Sequence, residues 1–126
     1  MRKVVILFSV LLVLAGVARA ADAVLDMDLM QTVEDTNKSL SSNIALQDAA
    51  ASTKDARELH ELFKTVEAHY VSKPDAADGV QLSRKSLTLT QQIIQQVGAK
   101  DFTGASESSS ALSRTCRACH TFYKQS

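Results

Sequence analysis

The sequence predicts an all-α fold, an antiparallel four-helix bundle with up-down-up-down topology. Beyond residue 20 the chain is rich in Ala, Leu, Ser, Gln, Asp and Lys, and it contains one proline, Pro74, and few aromatic residues. This composition favours helices over strands. Apolar residues recur at three- and four-residue steps in four blocks, which gives each predicted helix one apolar stripe. Helices joined by short connections pack antiparallel, so the first and fourth are expected to be neighbours.

Each block of the pattern predicts one helix and the residues of its core-facing stripe. In chain order, the four stripes are Met30, Val33, Asn37, Leu40 and Ile44; Ala56, Leu59, Phe63, Val66 and Tyr70; Val80, Ser83, Leu87, Thr90, Ile94 and Val97; and Phe102, Ala105, Ser109, Leu112, Cys116, Cys119 and Tyr123. The predicted breaks lie at residues 48–53, 73–78 and 98–100. The boundary signals are Ser52 and Thr53 as caps of the second helix, Asp75 or Asp78 as the cap of the third, Gly98 as its stop, and Asp101 as the cap of the fourth.

The N-terminus carries the three parts of a secretory signal peptide. Met1-Arg2-Lys3 is a charged start, residues 4–17 are uninterrupted small or apolar residues, and Ala18-Arg19-Ala20 fits a cleavage site. The alternative is an uncleaved membrane anchor, for which the apolar stretch is short. We therefore predict a signal peptide at residues 1–20 and one exported domain at residues 21–126. The domain would lie in the periplasm, with no stable membrane insertion after cleavage.

Charge and size restrict the classes of partner. The 14 basic and 14 acidic residues balance over the full chain. Cleavage after Ala20 would remove Arg2, Lys3 and Arg19, which leaves a formal charge of about −3 on the mature chain. That balance does not suggest nucleic acid or an anionic membrane as a partner. A domain of this length is near the lower limit for a self-sufficient core, so a covalently held apolar cofactor would help it.

The strongest chemical signal is the run Cys116-Arg117-Ala118-Cys119-His120. Two thiols three residues apart can each add to a vinyl group of haem, and the histidine that follows can then ligate the iron. At about 100° per helical residue, Cys119 lies near −60° and His120 near +40° from Cys116, so all three project from one core-facing side. The run therefore predicts one covalent haem c attached at the two cysteines, with His120 as an axial iron ligand.

Leu112 and Tyr123 share this side of the helix, at about −40° and −20° from Cys116, and are expected to pack against the haem.

Three interpretations of the two cysteines without haem compete with this one. A thioredoxin-type redox pair requires an α/β setting. A structural zinc site requires about four ligands, and His60 and His69 are poorly spaced to supply them. A disulfide between residues three apart closes too small a loop to stabilise the fold much.

Together with the four residues that follow it, Thr121-Phe122-Tyr123-Lys124, the run resembles the C-terminal part of the class II cytochromes c, which include cytochromes c′ and c556. In that family the attachment motif lies near the end of the fourth helix, and an aromatic and a basic residue follow it, as Tyr123 and Lys124 do here. The pattern of the first helix is similar to that of cytochrome b562. One departure is that members often carry an arginine near the haem propionates on the first helix. Here the residues before Lys38 on that helix are acidic or neutral.

The ligand on the other side of the iron decides between two functions. A methionine thioether would favour electron transfer, whereas an apolar side chain would leave an open position for NO or CO. Met30 lies on the core stripe. For a first helix that starts near Ala23, Met30 is about 10 Å along it, close to the height of His120. Met27 lies one position off the stripe and is the lesser candidate. The resemblance to cytochromes c556 and b562, in which a methionine early in the first helix is the ligand, favours the same choice.

The sequence thus predicts a monohaem electron-transfer protein that is not an enzyme, with a redox protein as its partner. The first alternative is a five-coordinate gas-binding protein of the cytochrome c′ type, and the second is a non-haem Cys-x-x-Cys redox or metal-binding protein. Two such bundles could also pair as a homodimer. Arg114, Arg117 and Lys124 could form a docking rim for an acidic redox partner or could be ordinary solvated charge near a helix C-terminus. The remaining expectations are solvated His60 and His69, and haem-pocket or bundle packing for Tyr70, Phe102 and Phe122.

Overall fold

The computed structural model describes residues 25–123, which form four helices: α1 (Met27–Ala45), α2 (Ala49–Val71), α3 (Ala77–Gly98) and α4 (Phe102–Tyr123). Consecutive helices pack together, and α1 also packs against α4. Short connections make neighbouring helices antiparallel. The predicted all-α four-helix bundle is confirmed. The predicted signal peptide and Lys124 lie outside the described residues, and none of the helices within 25–123 is long and apolar enough to cross a membrane.

The core is built from the predicted stripes of α1, α2 and α4, and Leu112 at its centre is fully buried. The stripe predicted for α3 is confirmed only in part, because Ser83, Thr90 and Val97 are buried but its other members are half-buried. Leu87 and Ile94 are half-buried, whereas their neighbours Leu89 and Ile93 are buried. The reason is that α3 packs against both α2 and α4, so its buried face is wider than a single stripe.

The first two helices begin where aspartates cap them rather than at the predicted residues. Asp26 accepts a backbone hydrogen bond at 2.8 Å, so α1 begins at Met27 instead of near residue 23. Asp48 caps α2 in the same way, with a bond of 2.9 Å. The predicted cap Ser52 is therefore wrong, and this serine is buried inside the first turn of α2.

The cap predicted for α3 is also wrong, whereas the cap predicted for α4 is confirmed. Neither Asp75 nor Asp78 caps α3, because the residue that precedes its first turn is Ala76, which has no side chain able to accept a hydrogen bond. Asp101 does cap α4, since its carboxylate accepts a hydrogen bond from the Gly104 N–H at 2.9 Å.

Helices α1 and α3 end in the same backbone motif. Gln47 and Lys100 adopt the left-handed region, with φ angles of 55° and 58°. The N–H of the next residue bonds the carbonyl five residues back, at 3.0 Å after Gln47 and 2.8 Å after Lys100. These bonds define a Schellman motif. Gly98, the predicted stop, is only the last helical residue, and the left-handed position that ends α3 belongs to Lys100.

Replacing Lys100 by glycine should stabilise the bundle. A side chain in the left-handed region costs about 1 kcal/mol, and glycine removes that strain while it adds some entropy to the unfolded chain. We expect the free energy of unfolding in urea to rise by about 0.5 kcal/mol. Lys100→Ala is the control, because alanine keeps the strain and should bring no gain. A loss of stability in Lys100→Gly would contradict this account of the turn.

Candidate functional site at the end of the bundle

Two pairs of polar side chains set the register of the seam between α1 and α4. Asn37 donates a hydrogen bond to Ser113 at 3.0 Å, and the hydroxyl oxygens of Ser41 and Ser109 lie 3.0 Å apart. Four residues separate the two contacts on each helix, as expected for antiparallel helices with the same rise per residue. We call these four side chains the seam residues.

Met30 and His120 lie level with each other along this seam. From the contact between Asn37 and Ser113, seven residues back along α1 lead to Met30, and seven residues forward along α4 lead to His120. At about 100° per residue, each of the two also points within about 20° of the two seam residues on its own helix. Met30 and His120 therefore face one seam from opposite helices at one height.

Cys116 and Cys119 are half-buried free thiols on adjacent turns of α4, and both pack against the core. Burial raises the pKa of the Cys116 thiol to about 11, and the neighbouring Cys119 adds to that rise. Burial also raises the pKa of Cys119, although a hydrogen bond with Tyr70 acts in the opposite direction. Both sulfurs thus keep their protons at neutral pH.

The three predicted iron ligands differ in exposure. His120 is exposed, and this corrects the expectation that its side chain faces the core with the cysteines. The reason is that it lies about 80° from Leu112, at the edge of the buried face of α4. Met30 is half-buried and packs against the core, whereas Met27 is 85% exposed. Of the two methionines, only Met30 is placed at the seam.

Two tyrosines and a glycine pack together beside the thiols. The rings of Tyr70 and Tyr123 have centroids 4.7 Å apart and are tilted by 36°. The ring of Tyr70 rests on Gly79, where an added Cβ would lie 2.5 Å from the ring carbons. The Tyr70 hydroxyl lies 3.9 Å from the Cys119 sulfur. The last turns of α2 and α4 and the first turn of α3 thus meet around Cys119.

Tyr123 has a structural role that the sequence analysis missed. Its hydroxyl accepts a hydrogen bond at 2.9 Å from the N–H of Gly79, in the first turn of α3. This is the bond that an N-cap side chain would otherwise accept, and Ala76 at the cap position cannot accept it. The only hint in the sequence is an alanine where α3 begins. Tyr123 therefore joins the haem-motif end of α4 to the start of α3.

Replacing Tyr123 by phenylalanine should destabilise the bundle by about 1 kcal/mol, the usual value of a lost helix cap. The ring and its packing are kept, so the loss reports on the hydroxyl alone. Urea denaturation measures the loss, and hydrogen exchange of the Gly79 amide should become faster. Phe122→Leu is the control, because Phe122 is 61% exposed and should change stability little. An unchanged Gly79 amide in Tyr123→Phe would contradict the capping role.

Several secondary expectations are corrected. Phe122 is largely exposed rather than packed, because it lies about 80° from Leu112, at an edge of the buried face of α4. Phe102 does pack against the core as predicted, but at the start of α4 and so at the opposite end of the bundle from the thiols. His60 is not simply solvated, since it is half-buried with its Nδ1 atom 2.9 Å from the hydroxyl of Thr90. His69 is half-buried and packs edge-on against a tyrosine ring.

The residues at this end of the bundle fit a covalently attached haem. They offer two protonated thiols on adjacent turns, an imidazole at the edge of the seam, and a thioether level with it on the facing helix. Within residues 25–123, no group of three or more His, Cys, Asp or Glu side chains could hold a bare metal ion. No family model, no curated protein and no solved structure matches the chain. The functional argument therefore rests on the chemistry of these residues.

Proposed function

We propose that this chain is an exported electron-transfer protein of the periplasm, a monohaem c-type cytochrome similar to the class II family. Cys116 and Cys119 would hold the haem, and His120 and Met30 would supply ligands to its iron. The observation that carries the proposal is the register of the α1–α4 seam, by which Met30 is level with His120, the residue that follows Cys119. Two side chains that hold one iron from facing helices would need to lie at a similar height, and the register supports this for Met30 and His120.

The environment of the two thiols argues against disulfide redox chemistry. Redox-active cysteine pairs have lowered thiol pKa values, often at a helix N-terminus where the dipole favours the thiolate. Cys116 and Cys119 lie instead near the C-terminus of α4, and burial raises the pKa of both. Protonated thiols are poor nucleophiles for disulfide exchange. Addition to a vinyl group, in contrast, takes up both the sulfur and its proton.

Each residue of the site would have a distinct task. When bound, the haem would supply an iron that alternates between the ferrous and ferric states. The two cysteines would fix it to α4, and the exposed imidazole of His120 would turn from solvent into the seam. Met30 would provide a soft thioether from α1, which favours the ferrous state and raises the reduction potential. Because both axial positions would then be filled, the electron could be exchanged with little change of coordination.

Charge beside the site supports docking of an acidic redox partner. Arg114 and Arg117 are exposed along α4, next to the cysteines. Opposite charges on two partners accelerate their encounter, and salt screens this effect. The rate of electron exchange with an acidic partner should therefore fall as ionic strength rises, and charge reversal at the two arginines should remove most of that salt dependence.

An optical spectrum tests the proposal. The full chain, exported with its signal segment in a host that makes c-type cytochromes, should show low-spin haem bands that do not shift with CO. High-spin bands that shift on CO addition would instead support the gas-binding alternative and would leave Met30 as packing. A protein without a Soret band would overturn the haem assignment and favour the non-haem alternative.

A further inference from the structure

The side chain of Tyr70 is fixed by contacts on several sides. It lies in the last turn of α2 and is 7% exposed. Its ring rests on Gly79 with no room for a Cβ and stacks on Tyr123 at 4.7 Å, while His69 packs against it edge-on at 5.2 Å. These contacts on several sides fix both the plane of the ring and the position of its hydroxyl.

The hydroxyl of Tyr70 meets only one of the two haem-motif sulfurs. Its oxygen is 3.9 Å from the sulfur of Cys119, a hydrogen-bond distance for sulfur, and no other hydrogen-bond partner of this hydroxyl lies among residues 25–123. A buried tyrosine hydroxyl ordinarily finds a partner. Burial raises the pKa of Tyr70 above its ordinary value, and Cys119 adds to the rise, so the phenol stays protonated and able to donate.

We propose that Tyr70 is a positioning residue for Cys119, whose sulfur it holds in one orientation by a hydrogen bond before haem attachment. This inference rests on the proposed function, since it concerns the attachment reaction. In the free protein either atom can donate the hydrogen bond. A sulfur attached to haem would carry no hydrogen, so the phenol would then be the only possible donor.

A fixed orientation of the Cys119 sulfur would affect the rate of haem attachment. The S–H bond of the cysteine and the π bond of the vinyl group break, a C–S bond forms at the inner vinyl carbon, and the hydrogen ends on the outer one. The addition needs no oxidant or reductant. Its rate depends on how often the sulfur faces the vinyl group, because holding reactants in place removes part of the entropic barrier. Cys119 therefore starts from a fixed orientation, whereas Cys116 does not touch the phenol.

Nuclear magnetic resonance on the full, reduced, haem-free chain tests the positioning directly. The three-bond couplings between the Hα and Hβ protons of Cys119 should indicate a single side-chain rotamer. In Tyr70→Phe they should move to averaged values, while the couplings of Cys116 stay as they were. Tyr123→Phe is the matched control, since it also removes one hydroxyl from the same stack but leaves Cys119 fixed. Gly79→Ala, which displaces the Tyr70 ring while keeping its hydroxyl, should reproduce the Tyr70→Phe result. Unchanged Cys119 couplings in Tyr70→Phe would overturn the proposal.

Single-thiol variants, exported in a host that attaches haem, add a second readout. With Cys119 as the remaining thiol, in Cys116→Ala, the addition of Tyr70→Phe should lower the yield of covalent haem about threefold, the effect of one weak hydrogen bond. With Cys116 as the remaining thiol, in Cys119→Ala, the same substitution should leave the yield alone. Equal losses in both backgrounds would overturn the proposal. Absence of covalent haem in the wild type and in all variants, with the coupling result intact, would overturn the proposed function instead.

Discussion

Replacing both Cys116 and Cys119 by alanine is expected to abolish covalent attachment of haem to this chain. Each thioether bond requires a sulfur, and the exposed His120 can supply only a coordinate bond, which denaturation breaks. Haem should therefore be lost on acid–acetone extraction and on denaturing gels stained for haem.

The two substitutions have a matched control within the same motif. Ala118 lies between the cysteines on α4, and Ala118→Ser adds a polar atom without removing a sulfur, so attachment should persist. Production of the chain in a cytoplasm without the attachment machinery should give haem-free protein, whatever the residue at 118. Haem that stays bound to the double alanine variant under denaturing conditions would refute the assignment of these cysteines.

Substitution of Met30 should convert the haem protein from low-spin to high-spin. Met30→Leu keeps the volume of the side chain, and with it most of the stability, but removes the thioether. We expect the ferrous protein to bind CO and the reduction potential to fall, on the order of 0.1 V, because the soft ligand that favours the ferrous state is gone. Optical spectra with and without CO, together with a redox titration, measure the three changes.

Met27 supplies the control for this experiment. Its side chain is 85% exposed, so Met27→Leu should leave the spectrum, the potential and the stability within error of the wild type. If Met27→Leu alone disturbed the haem, the register of α1 against α4 would have to differ from the one that the contacts of Asn37 and Ser41 define. A wild-type protein that is already high-spin would show that Met30 is only a packing residue.

The fold could be predicted from the sequence because helix periodicity is a property of many residues at once. Each stripe of α1, α2 and α4 contains several apolar residues in register, and a single polar residue within a stripe does not change the prediction of a helix. The helix boundaries depend on single capping side chains, so their prediction from the sequence was less accurate. Asp48 competes with Ser52 as the cap of α2 and wins because it lies just ahead of Ala49, where the first backbone N–H groups need an acceptor.

Only the arrangement of the site residues within a single helix could be predicted from the sequence. The placement of Cys116 and Cys119 on one side of α4 follows from helix geometry and is found as expected. The caps and contacts supplied by other helices could not be foreseen. Tyr123 accepts its hydrogen bond from α3, and Tyr70 reaches Cys119 from α2, because an open position at Gly79 admits the ring. No spacing rule in the sequence links residues on three helices.

The intact mass of the exported protein tests the central claim most directly. The full chain, produced in a host that attaches haem, should have the mass of residues 21–126 plus one haem, and this mass should persist in denaturing solvent. Fragmentation should place the added mass on the peptide that contains Cys116 and Cys119. A mature polypeptide without added mass, or one whose haem separates on denaturation, would contradict the proposal that this bundle carries a covalent haem.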